Sequence, residues 1–158
     1  MKIKNNHTLL ICVLALALIC FLSVDKPIHF QHQQAIREYA VKERLLKIRT
    51  AEERYRKATG AYTGDFTLLV KRGLLADSLQ YIPYSGGKRF SLTASTQIMK
   101  SGKQIPLMEC DANYEDYLHG LDQNSIDNLI QEANESGRYP GLRIGDINTP
   151  NYNAGNWE

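Results

Sequence analysis

QHQQAIREYAVKERLLKIRTAEERYRKAT, residues 31–59, decides the fold. Val41, Leu45, Ile48 and Tyr55 recur at helical spacing and share one face, with Glu52 interrupting the stripe. Around that seam the sequence is strongly charged. Glu38–Lys42, Glu43–Lys47, Glu52–Arg56 and Glu53–Lys57 all stand at i,i+4 in the favourable order, each adding roughly 0.2–0.5 kcal/mol to a helix. The pattern predicts a long solvated helix with one narrow apolar seam, packed on the domain's own sheet or on a neighbouring helix. Gly60 is placed to end it.

On the N-terminal side, Asp25-Lys26-Pro27 predicts a helix break, because proline lacks a backbone donor and restricts the residue before it. Before it, residues 9–24 read LLICVLALALICFLSV with no charge. At 1.5 Å per residue this run spans roughly 24 Å, somewhat less than a ~30 Å hydrocarbon core, a mismatch that local thinning and polar flanks absorb. Lys2 and Lys4 precede it. The expected organisation is a cytoplasmic N-terminus over 1–8, a transmembrane signal-anchor over 9–24, a periplasmic α+β domain over 25–147 and an Asn-rich tail over 148–158. A cleaved signal peptide and lipidation at Cys20 are the rival readings. Ala15-Leu16-Ala17 lies inside the run, Phe21 is bulky at the −3 position of the other cleavage pattern, and Ile19 stands where a lipoprotein needs a small residue.

On the C-terminal side, Thr63 or Asp65 caps a short helix ending at Gly73. A strand-rich block follows. Strands are expected over 79–83, 89–95, 97–100 and 103–110, with turns at Ser85-Gly86-Gly87 and Ser101-Gly102 and with Pro83 and Pro106 at edges or strand ends. Asp122 caps a helix over 125–135 whose apolar face is Ile126, Leu129, Ile130 and Ala133, and which Gly137 stops. A last strand is expected over 142–147. The fold class is therefore α+β: an N-terminal transmembrane helix, a long amphipathic helix packed on a small antiparallel sheet, and a C-terminal helix.

The formal net charge is +2, and the part after Val24 is formally neutral because Lys2 and Lys4 lie before the apolar run and all 17 acids after it. A neutral domain is a poor general nucleic-acid binder, because phosphate neutralisation needs surplus Lys and Arg, and no nucleic-acid partner is expected. The charge is nevertheless uneven, with bases concentrated before Lys103 and acids after it. Such halves face each other within one fold, or meet head to tail between copies or partners. Of three cysteines, Cys12 and Cys20 lie in the apolar run and Cys110 is alone in the domain, so no disulfide staples it.

Two resemblances follow from particular residues. Ala51-Glu52-Glu53-Arg54-Tyr55 and Thr59-Gly60-Ala61-Tyr62-Thr63-Gly64-Asp65-Phe66 resemble type IV pilins and pseudopilins, which implies a membrane helix continuing into a long helix and then an antiparallel sheet. The chain lacks those families' Gly, aromatic and Glu processing site at the start of the apolar run. Over most of its length it resembles a Bacteroidota family of single-pass membrane-anchored proteins. The matching segments include Ile48-Arg49-Thr50-Ala51, Asp77-Ser78-Leu79-Gln80-Tyr81-Ile82-Pro83-Tyr84-Ser85, Arg138-Tyr139-Pro140-Gly141-Leu142 and Asn153-Ala154-Gly155-Asn156-Trp157-Glu158. That resemblance implies envelope location and architecture, and no activity.

No motif carries chemistry by itself. His29 and His32 supply two ligands where a metal needs three or four. Asp111, Glu115, Asp116 and His119 cluster beside Cys110 but lack EF-hand spacing, and a Cys110–His119 nucleophile pair needs an orienting third group. Ser85-Gly86-Gly87-Lys88 and Ser101-Gly102-Lys103 lack the first glycine of a P-loop. Tyr139 and Trp157 are the aromatic residues best suited to anchor a partner or a glycan.

The sequence thus reads as an inner-membrane, single-pass envelope component, structural or assembly in role, without catalysis, cofactor or metal. Its expected partners are the lipid bilayer and an envelope protein or a second copy, engaged through Tyr139, Trp157 and the seam of Val41, Leu45, Ile48 and Tyr55. The alternatives are a tethered periplasmic ligand-binding module using Tyr81, Tyr84, Tyr139 or Trp157, and an envelope hydrolase using Cys110 and His119.

Overall fold

The computed structural model of the chain describes residues 5–100 and 102–158, the side chains of 5, 6 and 21–27 excepted. Helix α1 covers Asn5–Thr59 without interruption, so the expected break at Asp25-Lys26-Pro27 is not observed. Proline in a helix interior removes one hydrogen bond and costs about 3 kcal/mol, which a helix with many other turns can absorb. Among the described residues no helix is long and apolar enough to cross a membrane. Lys2, Lys4 and the side chains of 21–24, on which the anchor expectation partly rests, lie outside the described residues. The chain divides into two compact units, Met1–Ala35 and Ile36–Glu158.

Within Ile36–Glu158 the seam of α1 is the first layer of the core. Val41, Leu45 and Ile48 are fully buried, with Ala51 and Glu52 beside them. The second layer is a three-stranded antiparallel sheet of β1 (Ser91–Ile98), β2 (Gln104–Asn113) and β3 (Gly141–Gly145), in that order. The register aligns Leu92 with Cys110 and Cys110 with Ile144, Ala94 with Met108, and Ala112 with Leu142. These residues share one face by the period of two, and those from β2 and β3 are buried. The other face carries Thr93, Glu109, Asp111 and Arg143, so the sheet is one-sided.

The strand block differs from expectation in two places. Residues 79–83 form no strand: a short 3-10 helix, Asp77–Gln80, leads into a single bridge between Tyr81 and Arg89. The buried Gln80 amide donates to Asp77 at 2.6 Å, a local bond that favours the tight turn over extended chain. Residues 91–98 form one continuous strand rather than two, and just past its end Met99 N–H donates to the Lys103 carbonyl at 2.9 Å; Ser101 of the expected Ser101-Gly102 turn lies outside the described residues. Pro106 lies in β2 beyond the end of β3, where the missing donor has β1 as its only strand neighbour.

The helix signals hold. Asp65 caps α2 (Phe66–Lys71), accepting the Thr67 N–H at 2.7 Å, and Asp122 caps α4 (Gln123–Glu135), accepting the Ser125 N–H at 2.9 Å. A one-turn helix α3 (Tyr114–Tyr117), not expected from sequence, follows β2 directly. The last residues fold back on β3. Gly145 N–H donates to the Ala154 carbonyl, Asn156 N–H to the Arg143 carbonyl, and Ile144 bridges to Gly155. A Cβ at Gly145, where φ is +72°, would strike the Met108 carbonyl, so only glycine lets β3 end this close to β2.

Three arginines of α1 tie the helix to distant segments. Arg37 donates to the carbonyls of Tyr117 (3.1 Å) and His119 (2.8 Å), Arg44 to that of Tyr81, and Arg49 to that of Asn153 (3.2 Å). Arg49 also pairs with Glu158 at 3.0 Å, and Lys88 with Asp116 at 2.6 Å. Part of the basic half thus faces the acidic half within one fold.

Candidate functional site

Tyr139 and Trp157 meet in one cleft. Tyr139 sits just before β3 and Trp157 on the segment that folds back along it. Together with Tyr114, at the start of α3, they line a hollow of about 340 Å³, a size within the ordinary range of small-molecule sites, about 300–1,000 Å³. Lys42 and Glu38 on α1, Arg143 on β3, Arg138 and Asn156 also line it, beside the apolar Ala133 and Leu142.

Local chemistry fixes each ring. The Tyr139 hydroxyl donates to Asp111 Oδ1 at 2.7 Å and lies 2.6 Å from the Asn113 side-chain amide. Burial and the Asp111 carboxylate push its ionisation well above the ordinary tyrosine range. The Arg143 guanidinium stacks on its ring at 5.1 Å, and the Lys42 ammonium lies 5.7 Å from the Trp157 ring. Trp157 rests against Gly155, where a Cβ would strike the indole 2.7 Å away.

Every cation of the cleft has a carboxylate partner. Lys42 pairs with Glu38 at 3.5 Å, Arg138 with Glu132 at 2.8 Å, and Arg143 with Glu109 at 3.4 Å. The hollow therefore offers donors and acceptors of both kinds beside aromatic surface, without surplus charge.

The other expected partner-binding residues are placed differently. Val41, Leu45 and Ile48 are fully buried in the domain's own core and present nothing to a partner. Helical spacing identifies an apolar face; the Ile36–Glu158 unit itself buries it. Tyr55 is half-buried with Arg72 stacked on it at 4.7 Å. Tyr81 and Tyr84 carry Arg89 (5.5 Å) and Arg37 (4.8 Å) and are not brought to the cleft.

Cys110 is fully buried on the core face of β2, and burial, reinforced by Asp111, pushes its thiol well above the ordinary range, away from a nucleophilic thiolate. His119 is exposed, and its carbonyl serves Arg37. Asp116 pairs with Lys88, and Ser85 Oγ closes its own turn by accepting the Lys88 N–H at 3.0 Å. Among the described residues no group of three His, Cys, Asp or Glu is placed to hold a metal ion.

A larger groove of about 420 Å³ lies between the open end of β2 and the 150–153 loop. Ile105, Pro106 and Leu107 form one wall, and the fully exposed Tyr152 stands at its rim. Tyr152 and Asn153 both hold positive φ of 57°. Asn153 fixes the loop, its amide donating to the Tyr62 hydroxyl at 2.7 Å from a buried position. This groove is walled by a strand edge that Pro106 interrupts and has two charged side chains, Arg56 and Lys103, where the Tyr139–Trp157 cleft has four.

Sequence reasoning missed Tyr114, Lys42, Arg143 and Asn156 as parts of the cleft, because they come together from four segments far apart in the sequence. No protein-family model, curated protein or solved structure matches the chain.

Proposed function

We propose that the chain is a membrane-anchored envelope protein without catalytic activity, whose Ile36–Glu158 unit acts as a tethered binding module through the Tyr139–Trp157 cleft. The observation that carries this reading is the convergence of those two rings with Tyr114 on one hollow rimmed by paired charges. The anchor rests on the run from Leu9 to Cys20, helical and exposed on every side, with Leu9, Ile11, Leu14 and Leu18 each about three-fifths exposed. A helix apolar all round needs an apolar surrounding, and a bilayer supplies it. Lys2 and Lys4 before the run favour a cytoplasmic N-terminus, an inner-membrane location and a periplasmic domain. The long helix followed by a small antiparallel sheet also fits a pilin-like arrangement.

Two measurements test this. Carbonate-washed membranes are expected to retain the full chain; a soluble polypeptide lacking residues 1–24 overturns the anchor. A photocrosslinker in place of Arg138, at the cleft rim, is expected to give an adduct in native membranes. No adduct there, with efficient crosslinking from a surface position such as Glu135, removes the cleft from the function.

A structural or assembly role is the second reading. The exposed Ile98 and Tyr152 and the partly exposed Met99 favour it, since they are large apolar or aromatic groups open to a partner. Crosslinks from Ile98 or Tyr152, rather than from Arg138, to a second copy or an envelope protein distinguish it.

A further inference from the structure

The composition of the cleft selects a class of ligand, and this deepening rests on the binding-module reading above. An anion is disfavoured, because Lys42, Arg138 and Arg143 are each matched by a carboxylate 2.8–3.5 Å away. An incoming anion would compete with Glu38, Glu132 and Glu109 for the same donors. A purely apolar ligand is disfavoured as well. Polar groups make up much of the wall, and covering them without hydrogen bonds costs free energy.

What fits is a neutral ligand that is apolar on one face and hydroxylated at its edges. The rings of Tyr114, Tyr139 and Trp157 supply apolar surface. Around them stand donors (Lys42, Asn156, Arg143) and an acceptor (Glu38). A hydroxyl both donates and accepts, so it satisfies either partner without a change of charge. We propose that the cleft binds a neutral saccharide, with one or two sugar rings set against the aromatic wall and their hydroxyls bonded to Lys42, Glu38, Arg143 and Asn156. The pairs keep donors and acceptors oriented before the ligand arrives, which lowers the ordering cost of binding.

Trp157 is the only tryptophan of the chain, so its emission reports on this cleft alone. The full chain in nanodiscs would be titrated with N-acetylglucosamine disaccharide and trisaccharide and with maltotriose, and in parallel with inorganic phosphate and an acidic hexapeptide. A saturable change in Trp157 emission with at least one saccharide and none with phosphate is the expected result. Tyr139→Ala is expected to weaken it roughly tenfold, about 1.4 kcal/mol. Lys42→Ala, at a half-buried helix position where only the Glu38 pair and the contact with Trp157 are lost, is expected to weaken it severalfold while the thermal melt moves by no more than a few degrees.

If phosphate or the peptide gives the saturable response and no saccharide does, the saccharide assignment is overturned while the binding-module reading stands. Silence towards all the probes overturns the saccharide assignment and counts equally against the cleft as a binding site. A saccharide response unchanged in both variants places binding elsewhere and also overturns the assignment.

Discussion

The carboxylate of Glu52 accepts the backbone N–H of Thr63 at 2.9 Å, while its other oxygen is buried with no partner among the described residues. This bond ties the last turns of α1 to the segment that enters α2. Arg56, its expected ion-pair partner, instead donates to the Tyr62 hydroxyl at 2.7 Å. Glu52 therefore carries its charge into the core without a counter-ion, and burial, partly offset by the Thr63 N–H, raises its pKa from 4.5 to about 7.

A raised carboxyl pKa means that the folded state holds the proton more tightly than the unfolded state. The stabilisation is complete below the unfolded value of 4.5 and is lost as pH rises through about 7. The difference corresponds to about 3 kcal/mol by pH 8. Urea unfolding in detergent micelles should give lower stability at pH 8 than at pH 5.5. Glu52→Gln should flatten that slope and raise stability at pH 8 by about 1–3 kcal/mol. An unaltered slope in the variant would locate the pH dependence elsewhere.

Removing side chain from the seam should act on stability. Leu45→Ala, at a fully buried position, is expected to cost about 2–5 kcal/mol. Tyr55→Ala, half-buried under Arg72, should cost clearly less. Denaturant midpoints of the two variants check this; equal, small losses would mean that the seam is not core.

Gly145→Ala introduces a Cβ into the Met108 carbonyl at a positive φ. Left-handed backbone alone costs an L-residue about 1–2 kcal/mol, and the backbone collision adds to it. A loss above about 2 kcal/mol is expected in thermal melts followed by circular dichroism. Gly137→Ala, where a Cβ meets open space, should show the conformational cost without the collision.

Tyr139→Phe removes the hydroxyl that donates to Asp111 but leaves the ring in the cleft. It should cost about 1–2 kcal/mol, the value of a hydrogen bond to a partly hydrated carboxylate. In an ultraviolet titration the wild-type chain should show late-ionising tyrosines, Tyr117 and Tyr139 among them, because burial raises both. The Phe variant should have one fewer in that late class. Loss of an early-ionising tyrosine instead would contradict the buried hydroxyl.

Local rules were the legible part of the fold. Asp65 and Asp122 cap the helices they were expected to cap, because a cap is a bond between near neighbours. The antiparallel pairing of β1 with β2 and the buried face of α1 follow from spacing alone. Residues 79–83 misread because alternation in so short a run does not distinguish a strand from a 3-10 turn held by Asp77 and Gln80. Glu52 was readable in principle. The spacing 41, 45, 48, 52 continues the buried face, but the i,i+4 rule drew attention to Arg56 instead. The cleft was half legible: Tyr139 and Trp157 stood out by type, while their meeting depends on the last segment returning along β3.

The returning segment also constrains the order of events at the ribosome. The seam of α1 is synthesised early, yet Arg37 waits for Tyr117 and Arg49 for Asn153 and Glu158 before either finds its acceptor. Such widely separated contacts close slowly. The buried seam of Val41, Leu45 and Ile48 thus belongs to a helix whose flanking arginines are satisfied only by residues about 80 to 109 positions further along, a topology in which much of the native stability is gained late.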